Sequence, residues 1–89
     1  MPGSPYTVLL THAARRDYGK LPPDIEPRVS SAIDALEESP CHPGARKLKG
    51  ERHLFRVRVG DFRIIYHVDE SDRVVTIARI RHRREVYRS

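Results

Sequence analysis

The chain has 89 residues, of which 38% are hydrophobic and 33% charged, and its formal net charge is +5. This length predicts one folded domain spanning residues 1–89, and the composition is typical of a globular protein rather than a disordered one. The apolar runs are too short to cross a membrane, no secretory signal is expected, and the single cysteine excludes an internal disulfide, which fits a cytoplasmic location.

A strand and a helix are predicted at the start of the chain. Tyr6–Leu10 is a β-branched and apolar run that is typical of a strand, and Thr11 can cap a helix over about Ala13–Lys20. The Leu21–Pro23 segment ends this helix, because proline lacks a backbone N–H and biases the residue before it away from the helical region.

A second helix is predicted to begin near Asp24. Pro27 is acceptable in its first turn, since no intrahelical hydrogen bond is lost there. Apolar residues recur at spacings of four, four and three and form one stripe that consists of Ile25, Val29, Ile33 and Leu36. The proline-containing segment 39–44 ends the helix.

The second half of the sequence changes to a two-residue alternation that predicts three strands. These strands are Leu54–Val59, Phe62–Val68 and Val74–Ile80. Gly60 and Asp61 are predicted to form a two-residue hairpin turn, with glycine first as a type II′ turn requires. A strand, two helices and an antiparallel meander indicate an α+β domain, with helices packed on one face of a sheet of four or slightly more strands.

The same alternation predicts a basic face on the hairpin. If Gly60 and Asp61 form the turn, Arg58 lies opposite Arg63, and Arg56 lies diagonal to Arg63 on the same face. Like charges that face each other destabilise a sheet by roughly 0.2–1 kcal/mol, and no carboxylate in either strand is placed to neutralise them. Guanidinium groups bind phosphate well, so the pattern indicates an anionic ligand; the alternative is a solvated basic face.

The end of the chain adds more cations and two groups that can transfer protons. These residues are Arg79, Arg81, His82, Arg83, Arg84, Tyr87 and Arg88. A basic tail alone would be a solvated end or a contact for nucleic acid, whereas a phenol and an imidazole beside an arginine face could perform acid–base chemistry. The histidines show no metal-ligand spacing and there is no glycine-rich phosphate loop, so no metal or other cofactor is expected.

Three segments closely resemble the RelE/ParE toxin superfamily, on its RelE side. They are Lys47–Gly50, residues 54–66 (LFRVRVGDFRIIY) and His82–Tyr87, and the likeness extends over almost the whole chain, including Ala13–Asp17. Members of this family are toxins of bacterial or archaeal toxin–antitoxin pairs. The resemblance implies a RelE-like fold and an mRNA interferase, an endoribonuclease that cuts messenger RNA on the ribosome without a metal until a cognate antitoxin neutralises it.

The resemblance also implies which residues form the site. Arg56 and Arg58 match the basic pair of the family's central strand, Arg63 its phosphate-stabilising arginine, Arg83 its late arginine and Tyr87 its terminal tyrosine. The best-known nuclease of the family has lysines at the first two positions. Arginine is essentially never deprotonated, so neither residue is expected to act as a base.

The late arginine has two further candidates. The spacing to the terminal tyrosine is shorter than in the family, which leaves Arg81, Arg83 and Arg84 as alternatives.

Metal-independent RNA cleavage uses the neighbouring 2′-hydroxyl as nucleophile, which assigns a role to each group. The arginine cluster would stabilise the charged phosphorane, Tyr87 would act as the base, and His82 is a candidate acid. Lys47, Lys49 and Arg81 would position the RNA backbone.

Two other functions stay open from the sequence. A ParE-like toxin would bind DNA gyrase and damage DNA while leaving transcripts intact, whereas a nuclease would produce codon-dependent cuts. A degenerate family member would only bind its antitoxin or RNA. The arginine face and Tyr87 favour the nuclease.

Overall fold

The order of secondary-structure elements follows the predicted one, with one additional strand. The computed structural model describes residues 5–40, 45–47 and 54–84, and for residues 45–47 the backbone alone. The elements are β1 (Thr7–Leu10), α1 (His12–Gly19), α2 (Glu26–Glu38), β2 (Ala45–Lys47), β3 (Leu54–Val59), β4 (Phe62–Asp69) and β5 (Val74–His82). Neither helix is long and apolar enough to cross a membrane.

The strands form one mixed sheet in the order β1-β5-β4-β3-β2. β1 runs parallel to β5, whereas β5, β4, β3 and β2 are successively antiparallel. The α+β prediction is therefore confirmed. The edge strand β2 was not predicted, because three residues are too few for a two-residue alternation to be visible.

Both helices begin close to their predicted positions. The hydroxyl oxygen of Thr11 accepts a hydrogen bond from the backbone N–H of Ala14 at 3.1 Å, as an N-cap does. The same hydroxyl donates to the carbonyl oxygen of Ala78 at 2.8 Å and so joins the start of α1 to β5. The second helix begins two residues after Asp24, with Pro27 in its first turn.

Helices and sheet share one apolar core, which lies on a single face of the sheet. The largest fully buried side chains are those of Tyr66, Leu36, Ile64, Ile77, Val29, Val68 and Val75. Of the predicted α2 stripe three residues are buried, and Ile33 is half-buried against the core. The Tyr66 hydroxyl donates to the carbonyl oxygen of Pro40 at 2.5 Å, so the polar end of this buried ring has a partner.

The β3–β4 hairpin has the predicted register and turn. Val59 pairs with Phe62 across a two-residue loop. Gly60 has φ +58°, whereas φ of Asp61 is not positive. This combination matches a type II′ turn, because a type I′ turn requires a positive φ at both central residues.

A bulge in β5 changes the face on which its side chains lie. The pairing with β4 shifts register so that Ala78 has no counterpart. Ile77 faces the core before the bulge and Ile80 faces it afterwards. Strict alternation from Ile77 would have turned Arg79 and Arg81 into the core, whereas the bulge places both on the opposite face.

The conformation of Gly60 generates a prediction about stability. A methyl group added there would lie 3.3 Å from Ile25 Cδ1, on a backbone that L-residues rarely adopt. We expect Gly60→Ala to lower the free energy of unfolding by roughly 1–2 kcal/mol, measured by urea denaturation. Gly19→Ala is the matched control, since its methyl group would have no neighbour within 4 Å. Equal stability of the two variants would contradict this account of the turn.

Candidate functional site

The sheet face opposite the helices carries two rows of arginine positions. In the first row, Arg58 on β3 pairs with Arg63 on β4, which pairs with Arg81 on β5. The second row runs from Arg46 on β2 through Arg56 and Ile65 to Arg79, and of Arg46 only the register position is described. We use the term arginine face for the residues Arg56, Arg58, Arg63, Arg79 and Arg81.

The predicted hairpin geometry of this face is confirmed. Arg58 lies directly opposite Arg63, and Arg56 lies opposite Ile65. Arg58 is exposed and Arg56 is half-buried. Because β5 extends the first row by one more cation, the like-charge repulsion expected from the hairpin alone acts across three neighbouring strands.

Arg63 is the buried member of the arginine face. Only 5% of its surface is exposed. Within the described residues its side chain makes one hydrogen bond, from Nη1 to the carbonyl oxygen of Phe62 at 3.3 Å, although a guanidinium carries five N–H donors. In the same part of the chain neither Arg63 nor Arg56 nor Arg58 forms an ion pair. A buried cation with so few partners is costly, and an anion from outside the chain would relieve that cost.

Arg79, in contrast, is held by a carboxylate of α1. Its Nε donates to Oδ2 of Asp17 at 2.8 Å, and its Nη2 donates to Oδ1 at 3.2 Å. The backbone N–H of Ile80 donates to Oδ2 at 2.9 Å. β1 ends at Leu10, so Asp17 supplies the acceptor for this backbone group where the neighbouring strand no longer does.

The surroundings of Asp17 favour its charged form. Burial raises the pKa of this carboxyl, but the hydrogen bonds from Arg79 and Ile80 and the positive charges of Arg79 and Arg81 outweigh that effect. The pKa is therefore held below its ordinary value of 3.8.

The structure does not bring His82 to the arginine face. Its ring contacts the ring of Phe62 edge-to-face on the core side of the sheet, with the ring centroids 5.3 Å apart. Its Nδ1 accepts a hydrogen bond from the backbone N–H of Arg84 at 3.3 Å. Because Arg81 points to the arginine face, the next residue of the strand points away from it. The role of His82 as a candidate acid stays a prediction, and its position on the other face of the sheet does not favour it.

The remaining predicted residues lie near the end of β5 or in the segment around β2. The backbone N–H of Arg83 donates to the carbonyl oxygen of Asp61 at 2.7 Å, which places Arg83 beside the hairpin turn, and its exposed side chain lies 3.9 Å from the Asp61 carboxylate. Arg84 is exposed. Tyr87 and Lys49 lie outside the described residues, and of Lys47 the side chain does. Their roles stay predictions.

Two contributors to this site were not assigned from the sequence. Arg79 joins the arginine face only because of the bulge, which the alternation does not reveal. Asp17 is the one carboxylate of α1. The sequence of this helix, HAARRDYG, contains no signal that pairs Asp17 with a residue more than sixty positions away.

Comparison with known proteins places this geometry in a family. A family profile described as the ParE toxin of the type II toxin–antitoxin system, parDE, matches residues 8–87. Toxin RelG of Mycobacterium tuberculosis is 38% identical over 85 residues, which cover 94% of this chain and 98% of that protein. The putative toxin RelE1 of Methanocaldococcus jannaschii is 31% identical over 87 residues, which cover 94% and 97% of the two chains.

Solved structures show the same fold. A chain of the RelBE2 toxin–antitoxin complex from Mycobacterium tuberculosis is 36% identical, with a TM-score of 0.78 over 88% of this chain and 98% of that one. The archaeal RelE–RelB complex from Pyrococcus horikoshii OT3 gives 30% identity and a TM-score of 0.78 over 89% and 96% of the two chains. The fold of these relatives is therefore the fold described above.

The lowered pKa of Asp17 predicts how stability depends on pH. The carboxylate stabilises the fold fully above its ordinary pKa of 3.8, and this stabilisation is lost as pH falls through the lower pKa of the folded state. We expect Asp17→Asn to lower the free energy of unfolding at pH 7 by about 1–3 kcal/mol, and the difference from wild type to shrink below about pH 4.

Chemical denaturation over a pH series measures this difference. Asp34→Asn, which removes an exposed carboxylate from α2, is the control and should show little effect at any pH. A difference between Asp17→Asn and wild type that persists unchanged into acid would contradict the assignment.

Proposed function

The chain belongs to the ParE toxin family of type II toxin–antitoxin systems, and from that premise we propose that it is a RelE-like toxin that cleaves messenger RNA on the ribosome. Residues 1–89 act as one toxin domain in this proposal. The observation that carries it is the buried guanidinium of Arg63, which lies between two further arginines without an ion pair in the described residues. Such a group can bind a phosphate of RNA through two hydrogen bonds. Without a bound anion, the same buried charge lowers the stability of the protein.

The dimensions of the arginine face suit a nucleic-acid backbone. Neighbouring strands of a sheet lie about 4.8 Å apart, so the first row, Arg58 to Arg81, spans roughly 10 Å at the level of the backbone. Guanidinium groups at that spacing can contact a scissile phosphate and its neighbours together. Ile65 lies in the second row and offers an apolar contact for a base.

We propose a cleavage reaction that needs only RNA, protein groups and water. The 2′-oxygen attacks the adjacent phosphorus, the bond from phosphorus to the 5′-oxygen breaks, and the products are a 2′,3′-cyclic phosphate and a 5′-hydroxyl. Arg63, with Arg56 and Arg58 beside it, would stabilise the negative charge of the phosphorane, and Arg81 would position the RNA backbone. Tyr87 is the proposed base for the 2′-hydroxyl proton. Water on the open arginine face is the proposed acid for the 5′-oxygen, because the His82 ring contacts Phe62 on the other face of the sheet.

The proposed partners are the ribosome with its messenger RNA and a cognate antitoxin. Several solved relatives are complexes of a RelE-type toxin with RelB. We propose that acidic residues of the antitoxin compete with RNA for the arginine face, because both ligands offer anionic oxygens to the same guanidinium groups. Action on translating ribosomes places the protein in the cytoplasm.

A ParE-like action on DNA gyrase is the second candidate, and the description of the matching family profile favours it. It requires binding rather than RNA cleavage, so the two candidates give different products. Gyrase poisoning would leave transcripts intact and produce broken DNA.

Removing the charge of Arg63 tests the proposed site. We expect Arg63→Met to lower the rate of mRNA cleavage on purified ribosomes by on the order of 10²-fold, because the phosphorane loses its central cation. The free energy of unfolding should stay the same or rise, since the buried charge has no ion pair in the described residues and methionine keeps an unbranched side chain. Mapping of 5′-hydroxyl RNA ends measures the rate.

Arg16→Met is the matched control for this measurement, because Arg16 is exposed on α1. It should cleave at about the wild-type rate. Wild-type protein that leaves ribosome-bound mRNA intact but breaks DNA in the presence of gyrase would replace the nuclease by the gyrase inhibitor. Intact RNA and intact DNA together would indicate a family member that only binds.

A second pair of variants tests the proton-transfer assignment. Tyr87→Phe should lose most of the cleavage rate, on the order of 10²-fold, because the proposed base is removed. His82→Gln should cleave at nearly the wild-type rate, because the imidazole contacts Phe62 on the other face of the sheet. Single-turnover kinetics on ribosomes measures both, and the reverse result would restore His82 and exclude Tyr87.

A further inference from the structure

We propose that Asp17 is a positioning residue for RNA binding, which holds β5 so that Arg81 points into the arginine face. This inference rests on the proposed nuclease function. It is carried by the three hydrogen bonds that the Asp17 carboxylate accepts from the segment directly after the β5 bulge.

The three donors use both oxygens of the carboxylate. Oδ2 accepts from Arg79 Nε and from the Ile80 backbone, and Oδ1 accepts from Arg79 Nη2. An asparagine has a single acceptor oxygen, and its amide group would meet another donor in either orientation. The arrangement is therefore specific to a carboxylate, beyond what capping one backbone N–H would require.

The position of these hydrogen bonds matters because the bulge there changes which side chains of β5 face the core. Ala78 is the extra residue of the bulge, and Ile80 is the first core residue after it. A slip of one residue would exchange the faces of all later side chains in the strand. By binding the backbone of Ile80 and the side chain of Arg79, Asp17 fixes the register that places Arg81 opposite Arg63.

Asp17 also offsets repulsion within the arginine face. Arg79 and Arg81 are two residues apart on the same face of one strand, and the charges of both act on Asp17. A carboxylate beside them reduces the cost of holding two like charges near Arg63. Asp17 is bonded to Arg79 and not to Arg63, so it acts on RNA through the arginines.

Two rival explanations of the Asp17 contacts make different predictions. If Asp17 only masked positive charge, its removal would make the arginine face more attractive to RNA, and binding would become tighter. If Asp17 only stabilised the fold, its removal would reduce the fraction of folded enzyme. That loss would lower the apparent kcat and leave KM unchanged.

Steady-state cleavage of mRNA on ribosomes separates these explanations. We expect Asp17→Asn to raise KM by on the order of tenfold while kcat stays within about twofold of wild type, because misplaced arginines weaken binding of the RNA backbone. In an Arg81→Met background, Asp17→Asn should raise KM little further, because its effect passes through Arg81. Asp34→Asn is the control for loss of one negative charge.

Several outcomes would overturn the inference. They are an unchanged or lower KM in Asp17→Asn, a fall in kcat alone, and an equal rise in KM with and without Arg81. If wild-type protein cuts no RNA, the proposed function fails. Amide hydrogen exchange at Ile80 then tests, independently of cleavage, whether Asp17 holds β5 in place. Faster exchange in Asp17→Ala than in Asp34→Ala supports its role in holding β5, and equal exchange refutes it.

Discussion

Repulsion among like charges is the constraint that this fold has to satisfy. Five guanidinium groups share one face of three adjacent strands, and Arg63 is buried among them. The opposite face of the same strands supplies the stabilisation, because Ile64, Tyr66 and Val75 are fully buried against the helices. Repulsive and apolar side chains alternate along the same backbone. The core therefore holds the arginines in place, and Arg79 receives a counter-charge from the carboxylate of Asp17.

The hairpin was predictable because its information is local. Gly60 and Asp61 define the turn, the turn defines the register, and the register puts Arg58 opposite Arg63. The bulge was not predictable, since Ala78 is an ordinary strand residue and the signal lies in how β5 meets β4 and α1. Asp17 was missed for a related reason: its partners are distant in sequence and depend on where β1 ends.

The two residues 81 and 82 show why placement on a strand decides function more than residue type does. Imidazole is the better acid–base group in isolation, yet alternation turns His82 toward Phe62 and leaves Arg81 in the row with Arg63. The basic end of the chain therefore divides into one set of groups on the arginine face and another that packs against the protein. This division favours a site in which charge stabilisation is the main contribution and protons are moved by few groups.

The burial of Arg63 has a consequence for how long the protein survives in a cell. A polyanion that bound the clustered guanidinium groups of the folded chain and not the unfolded chain would raise stability by mass action, by about 2.7 kcal/mol when its concentration is 100 times Kd. The unoccupied protein is then the species most often unfolded and most open to proteases. Under the proposed function, an antitoxin or an RNA bound to the arginine face would therefore also protect the chain from degradation, and a toxin molecule with neither ligand bound would be degraded first.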